Sequence, residues 1–292
     1  MKIGLGTAQF GLDYGISNSY GKPGLDEVSR ILAVAKDAGV RVLDTAHSYG
    51  DSESVLGMCL PPNHDFRIIT KSLPLATERV TVSQVQSVRD AFQLSLGRLR
   101  QPRVYALLVH HAQDLLAADA ERLVEMMQDL KAQGHIERFG VSVYNKKEID
   151  AILERHRVDL IQLPLNVLDQ RLLESGTLAR LRAKGIEVYA RSVFLQGLLL
   201  MNPDSLAGHF KAAAEPLIKL RAFARKHGRT VLETALQFAA DRPEVDCAIV
   251  GVLRQRELEE IVAASRARSV AEDYSGLALH DDFILNPARW PH

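Results

Sequence analysis

The sequence predicts a (β/α)8 TIM barrel, a single domain over residues 1–292, and three observations predict it. Short, β-branched apolar runs alternate with longer helical patterns along the whole chain. These runs are continuously apolar rather than alternating, as strands covered on both faces of a parallel sheet are. Eight such pairs fit into 292 residues, a normal length for this barrel, and no Ser/Gly/Pro-rich linker divides them. The competing architecture is an open, doubly wound sheet. It is rejected because no GxGxxG follows a strand: Gly4-Leu5-Gly6 runs on into Thr7-Ala8-Gln9-Phe10-Gly11.

In chain order the expected strands are Lys2–Gly6, Arg41–Asp44, Arg67–Thr70, Val104–Val109, Arg138–Val141, Leu160–Leu163, Glu187–Ala190 and Cys247–Val250. Helical patterns separate them. Asp26–Ala38 places Val28, Ile31, Leu32 and Ala35 on one face and stops at Gly39, a C-cap. Ser83–Arg100 repeats the period with Val85, Val88, Phe92 and Leu96, and Asp119–Gln133 with Leu123, Met126, Met127 and Leu130. Lys146–His156, Ser175–Lys184, Glu215–His227, Thr230–Ala240 and Arg254–Ala267 complete the set. Three irregular stretches remain: a polar loop Asp13–Gly24, the segment Met201–Phe210, and a non-helical tail Leu277–His292. In a barrel, all three are candidates to crown the mouth where active sites are built, with plain surface loops as the alternative.

Composition narrows the function classes. Hydrophobic residues make up 47% and charged residues 25%, which excludes a disordered chain. Formal net charge is zero, so nothing points to nucleic acid or to a strongly charged partner. Cys59 and Cys247 form no CxxC and read as small core residues, not a disulfide framework or a zinc site. The histidines show no metal-ligand spacing, and no metal is expected. The start, MKIGLGTAQF, lacks the apolar region of a signal peptide. The most apolar stretch, Val188–Met201, contains Arg191 and Gln196 and is too short to span a bilayer. The expectation is a cytoplasmic protein with no membrane contact. The basic run Arg266–Arg268 reads as a solvated helix end, and oligomeric state is open.

Chemistry is sought where the strands end. Asp44 ends the second strand, Lys71 follows the third, His110 follows the fourth, and Tyr49 lies in the loop after Asp44. Lys and Asp are costly to bury unless paired, so Asp44 and Lys71 are expected to form an ion pair. A lone pair of this kind would be structural. With a tyrosine and a histidine at the same mouth, it becomes a way to run carbonyl chemistry. A free tyrosine has a pKa of roughly 10, and a neighbouring ammonium favours its phenolate and so makes it a better acid. A histidine donor orients the carbonyl oxygen. No side chain supplies a hydride, so a nicotinamide would.

The run Gly39-Val40-Arg41-Val42-Leu43-Asp44-Thr45-Ala46-His47-Ser48-Tyr49-Gly50-Asp51-Ser52-Glu53, continuing to Leu56-Gly57, closely resembles the signature of the aldo-keto reductase family. Ile69-Thr70-Lys71 resembles the family's lysine motif and Leu107-Leu108-Val109-His110-His111 its histidine motif. The resemblance implies Tyr49 as general acid, Asp44 and Lys71 as the groups that tune it, and His110 as the residue that orients substrate. Since neighbouring strand residues point opposite ways, one of His110 and His111 should face the pore, and family spacing favours His110. The resemblance also implies a cofactor groove. Gly6 and Thr7 would lie near the nicotinamide, and Ser142 of Gly140-Val141-Ser142 and Gln162 would flank its carboxamide. Ser192 and Leu195, in a run similar to the SPLAQGLL pyrophosphate loop, and Gly251 and Arg254, near the adenosine helix, complete it.

Two departures stand out. Arg191 occupies the place of the aromatic residue that stacks on the nicotinamide; a guanidinium stacks too, although its charge opposes an oxidised ring, and an ion-paired strand-end residue is the alternative. After Gly251 the chain reads VLRQRELEEI, where Arg254 and Arg256 are candidates for a 2′-phosphate or for a solvated face. The resemblance thus implies an NAD(P)H-dependent oxidoreductase that reduces an aldehyde or ketone, a sugar or hydroxylated carbonyl among them, with NADP(H) favoured over NAD(H). The alternatives are a nicotinamide-binding regulatory protein with little turnover and a Schiff-base aldolase using Lys71. Asn18, Ser19, Tyr20, Lys22 and Trp290 are candidates to line the mouth.

Overall fold

The computed structural model describes residues 2–61, 64–267 and 272–290. Arg268 and the end of the tail, residues 291–292, lie outside them. The described residues form a closed barrel of eight parallel strands in sequential order, β1 Ile3–Gly6, β2 Val42–Asp44, β3 Arg67–Lys71, β4 Val104–Val109, β5 Ile136–Ser142, β6 Leu160–Pro164, β7 Glu187–Arg191 and β8 Cys247–Gly251. Each overlaps its expected run. β1 closes the ring against β8, with Gly6 opposite Gly251, and pairs on its other side with β2, Gly6 opposite Asp44.

Strand alternation decides what faces the barrel axis. A small inner cluster contains Val42, Ile69, Leu108, Leu160, Tyr189 and Ile249. Two residues further along their strands lie Asp44, Lys71, Gln162, Arg191 and Gly251, so this top layer faces inward by register. Gly6 and Ser142 join it, and His110 follows just past the end of β4. The outward faces pack under the helices in one large core.

The helices start and stop for local reasons. Thr81 and Gln84 form a capping box at Val82–Leu99, and Thr230 and Glu233 do so at Val231–Ala240. Gly39 ends Leu25–Ala38 at φ +82°. The expected helix Ser175–Lys184 is present as Thr177–Ala183; a short helix Arg171–Glu174 precedes it, and Gly176 between the two sits at φ +67°.

A helix that the sequence reading missed, Ser52–Cys59, follows the loop carrying Tyr49. It packs closely on Val82–Leu99, since a Cβ on Gly57 would lie 2.0 Å from the Arg98 carbonyl oxygen. The tail is not without helix: Asp281 and Asn286 side chains cap short turns at Asp282–Leu285 and Pro287–Arg289. Of the three irregular stretches, Asp13–Gly24 and the tail residues Pro287 and Ala288 line the mouth, whereas Met201–Phe210 does not. Trp290, expected at the mouth, is buried instead, edge-on to Phe210, with its indole N–H on the Phe283 carbonyl at 3.1 Å. Among the described residues no helix is long and apolar enough to cross a membrane.

Candidate active site

A cleft of about 720 Å³ opens at the C-terminal ends of the strands. Beneath it Lys71 and Asp44 are buried, 1% and 5% exposed. The Lys71 ammonium donates to both Asp44 carboxylate oxygens and to the Thr45 carbonyl, each at 2.8 Å. The expected ion pair is therefore present. Burial works against the ammonium, but the charge of Asp44, the neighbouring Tyr49 and their hydrogen bonds outweigh it and raise the Lys71 pKa. The same ammonium lies 4.8 Å from the centre of the Tyr49 ring.

His110 meets Tyr49 edge to face, ring centres 5.9 Å apart. Burial first, then the charge of Lys71, depresses its pKa to about 3, so the imidazole is neutral at ordinary pH. Its Nδ1 is buried without a partner among the described residues. His111 also lines the cleft, its ring 5.4 Å from that of His110, contrary to the expectation that only one of the two would. The physical reason is that β4 ends at Val109, so strand alternation no longer governs either histidine.

Gln162 links two parts of the site. Its Nε2 donates to Asp44 Oδ1 at 2.7 Å, whereas its Oε1 is buried with no partner among the described residues. A buried acceptor left open in this way needs a donor, and a primary carboxamide from the cleft is a chemical match. Gly6, Thr7, Ser142, Ser192 and Gly251 line the same cleft. Leu195 does not: it is fully buried, and its neighbours Phe194 and Gln196 take the lining positions. Ser192, Leu195 and Gln196 all have positive φ, of 58°, 48° and 54°, backbone strain concentrated in the loop after β7. Gly197 follows at φ +91°, where a Cβ would collide with Ser17 Oγ at 1.9 Å, so this loop and the Asp13–Gly24 loop touch.

Arg191 forms no ion pair among the described residues, which removes the strand-end ion-pair alternative. Its guanidinium lies 4.2 Å from the centre of the Tyr144 ring and donates to the Val143 carbonyl at 3.0 Å and to Ser192 Oγ at 3.4 Å. Tyr14 is a further cleft residue that the sequence reading missed. Its pKa is pushed up to about 12, by burial first and then by Tyr49, so its hydroxyl stays a donor. At the far end Arg254 is exposed and stacks on Tyr20, 4.9 Å from the ring centre. Asn18 and Tyr20 line the mouth as expected, whereas Lys22 is turned to Asp51 at 2.9 Å.

Comparison with known proteins matches this architecture. The model of the aldo/keto reductase family matches residues 2–281. The chain belongs to the aldo-keto reductase family. Its members bind nicotinamide cofactors, and the protein is an oxidoreductase of that type. An aldo-keto reductase of Bacillus subtilis is 24% identical, covering 89% of this chain and 83% of its own. The L-galactose dehydrogenase of Arabidopsis thaliana is 24% identical over 99% and 92%, and the D-threo-aldose 1-dehydrogenase of a Pseudomonas species 25% over 80% and 82%. Among solved structures, an aldo-keto reductase of Bacillus halodurans superposes with a TM-score of 0.75 at 18% identity, covering 99% of this chain and 95% of its own. The glycerol dehydrogenase of Gluconobacter oxydans gives 0.73 at 22% identity, over 100% and 93%.

Proposed function

We propose that this aldo-keto reductase reduces a small, hydroxylated aldehyde or ketone to the alcohol, with Tyr49 as the proton donor. The observation that carries the reading is the buried Lys71–Asp44 pair set against Tyr49, under a neutral His110. The Lys71 ammonium, 4.8 Å from the centre of the Tyr49 ring, stabilises negative charge that develops on the phenol oxygen as the proton is transferred. Asp44 keeps Lys71 charged and in place. With its proton on Nε2, His110 donates to the carbonyl oxygen while the buried Nδ1 keeps only a lone pair. Together the two donors stabilise charge on that oxygen as the bond order falls.

The open Gln162 Oε1 fits a nicotinamide carboxamide, with Ser142 on its other side. Gly6 and Thr7 would lie beside the ring, Arg191 against it, Ser192 and Leu195 at the pyrophosphate and Gly251 and Arg254 at the adenosine end. When bound, the nicotinamide supplies the hydride. The names of the sugar and polyol dehydrogenases among the relatives support a hydroxylated substrate.

For NADP(H) the support is Arg254, which forms no ion pair among the described residues, unlike Arg256, held by Glu260 at 3.0 Å. One observation favours NAD(H). The backbone amides at the start of the adjoining helix, Gln255–Arg266, are taken by carboxylates: Leu253 N donates to Glu257 at 2.7 Å and Gln255 N to Glu27 at 2.7 Å. Titration with NADPH and NADH, followed by nicotinamide fluorescence, separates the two. Tighter NADPH binding that is lost in Arg254→Ala supports the first, and equal or tighter NADH binding the second. A carbonyl screen with Tyr49→Phe as control tests the reaction. Tight cofactor binding with no turnover of any carbonyl would instead make the chain a nicotinamide-binding regulatory protein.

A further inference from the structure

Tyr49 sits on a short excursion of the chain between Thr45, just past β2, and the helix Ser52–Cys59. Side chains tie the two ends of that excursion together. Thr45 Oγ1 and Ser52 Oγ lie 3.1 Å apart, so a bond between hydroxyls closes the loop at its base. Ser52 Oγ donates to the Thr7 carbonyl at 2.8 Å and meets Thr7 Oγ1 at 2.8 Å. All three side chains are 0% exposed. A hydroxyl has one proton and two lone pairs. With its proton on the Thr7 carbonyl, Ser52 offers its lone pairs to Thr45 and Thr7. It thus spends its capacity on the residues just past β1 and β2 rather than on its own helix.

The same residues touch the ion pair beneath Tyr49. The Thr45 carbonyl accepts from the Lys71 ammonium at 2.8 Å. The Asp44 carbonyl accepts from the Thr7 amide at 2.9 Å and from Thr7 Oγ1 at 3.0 Å. On the other side, the Ser52 amide donates to the Tyr49 carbonyl at 3.0 Å. A Cβ on Gly11 would lie 1.9 Å from that carbonyl oxygen, so the turn Ala8–Gly11 presses on the Tyr49 loop as well. One buried hydroxyl therefore joins the turn that bears Tyr49 to the strand ends that hold Asp44 and Lys71.

We propose that Ser52 is a positioning residue of the reaction: its hydroxyl sets where Tyr49 stands relative to Lys71, His110 and the carbonyl. This rests on the reductase reading above. Displacing a reacting group by about 1 Å costs on the order of 100-fold in rate. The carboxamide and adenosine parts of the groove do not depend on this tie, because Ser142, Gln162 and Gly251 belong to β5, β6 and β8. A serine that served burial only would cost stability when removed, and would cost it equally whether or not Tyr49 carried its hydroxyl.

The test is a double-mutant cycle of Ser52→Ala and Tyr49→Phe in the full chain, with saturating cofactor and with glyceraldehyde and para-nitrobenzaldehyde as carbonyls. Ser52→Ala should lower kcat by roughly 10- to 100-fold with cofactor affinity, read by nicotinamide fluorescence, unchanged. Added to Tyr49→Phe, the same substitution should change the residual turnover by less than about twofold, because the group it positions is gone. The solvent deuterium isotope effect on kcat should rise in Ser52→Ala, since a misplaced acid makes proton transfer the slower step. Thr45→Val, nearly isosteric, removes the other half of the tie and should show the same pattern. Thr45→Ser keeps the hydroxyl and should restore a rate close to wild type. The Thr45 pair decides the matter should Ser52→Ala fail to fold.

Equal losses of kcat from Ser52→Ala with and without the Tyr49 hydroxyl overturn the proposal. So does a loss confined to Tm, or full activity in both Ser52→Ala and Thr45→Val. If wild-type protein reduces neither carbonyl, or Tyr49→Phe costs less than tenfold, it is the reductase reading that has failed, and this inference with it.

Discussion

The barrel has a cavity at each end, of similar size and opposite character. The floor cavity is about 750 Å³ and the mouth cleft about 720 Å³, so size alone selects neither. At the floor the charges answer one another. Tyr105 donates to both oxygens of Glu187, at 2.7 and 2.9 Å, and Arg138 to the same carboxylate at 2.8 Å. Arg41 pairs with Asp65 at 2.5 Å, and Asp246 accepts from the Val188 amide at 2.8 Å. At the mouth, among the described residues, Gln162 Oε1 and His110 Nδ1 are buried without partners and Arg191 has no acid, and the loop after β7 holds three non-glycine residues at positive φ. A fold that satisfies its polar groups at one end and leaves them open at the other is prepared for a ligand at the open end.

The largest expected effect tests that contrast directly. Tyr49→Phe should lower kcat by about 100- to 10,000-fold with cofactor affinity kept, the range for losing a general acid. A drop of less than tenfold, measured on any accepted carbonyl, would remove the mouth's claim to the reaction. Next come the two ends compared by stability. Lys71→Met strands the Asp44 carboxylate in the core and should cost about 3–5 kcal/mol in urea unfolding. Glu187→Gln at the half-exposed floor should cost about 1–2 kcal/mol and leave kcat alone. Equal losses, or a kcat effect from the floor, would break the distinction.

A smaller effect concerns pH. Unfolded, His110 takes up a proton near pH 6.5, whereas in the fold it stays neutral to about pH 3. Between those values the unfolded state binds the extra proton, so this residue makes stability fall as pH falls. His110→Gln should therefore flatten the acid side of a Tm-against-pH curve below pH 6.5; an unchanged slope would show the imidazole is not held neutral. The smallest effect belongs to Arg256, exposed and paired with Glu260. Arg256→Ala should change stability by less than about 0.5 kcal/mol and leave cofactor affinity as it was, in contrast to Arg254→Ala.

What could be read from the sequence follows from how strands announce themselves. A charged residue closing an apolar run, as Asp44, Lys71 and Arg191 do, is conspicuous, and register then carries all of them to one ring. Ser142 and Gln162 came only through the family resemblance, because a polar neutral residue at a strand end has no signal of its own. Tyr14 and Tyr144 were not legible: both sit in loops, where no period ties a side chain to a face. His110 and His111 lie just past the end of β4, where two-residue alternation no longer ties a side chain to a face. The helix Ser52–Cys59 was hidden because its turn-rich start and its Gly57 read as loop, although Gly57 is there for close packing on Val82–Leu99. Leu195 had the right neighbourhood and the wrong direction, since its loop reverses at residues with positive φ.

Asp44 Oδ1 accepts hydrogen bonds from both Lys71 and Gln162. One oxygen atom thus joins the ammonium proposed to act on Tyr49 to the amide proposed to hold the carboxamide. Substitutions at the two positions will not add: in a double-mutant cycle of Lys71 and Gln162 the coupling should reach about 0.5–3 kcal/mol. On the proposed reading, a redesign of this barrel can vary Arg254 by itself, but Tyr49 with its Lys71 and the Gln162 pocket are one engineering unit and must be changed together.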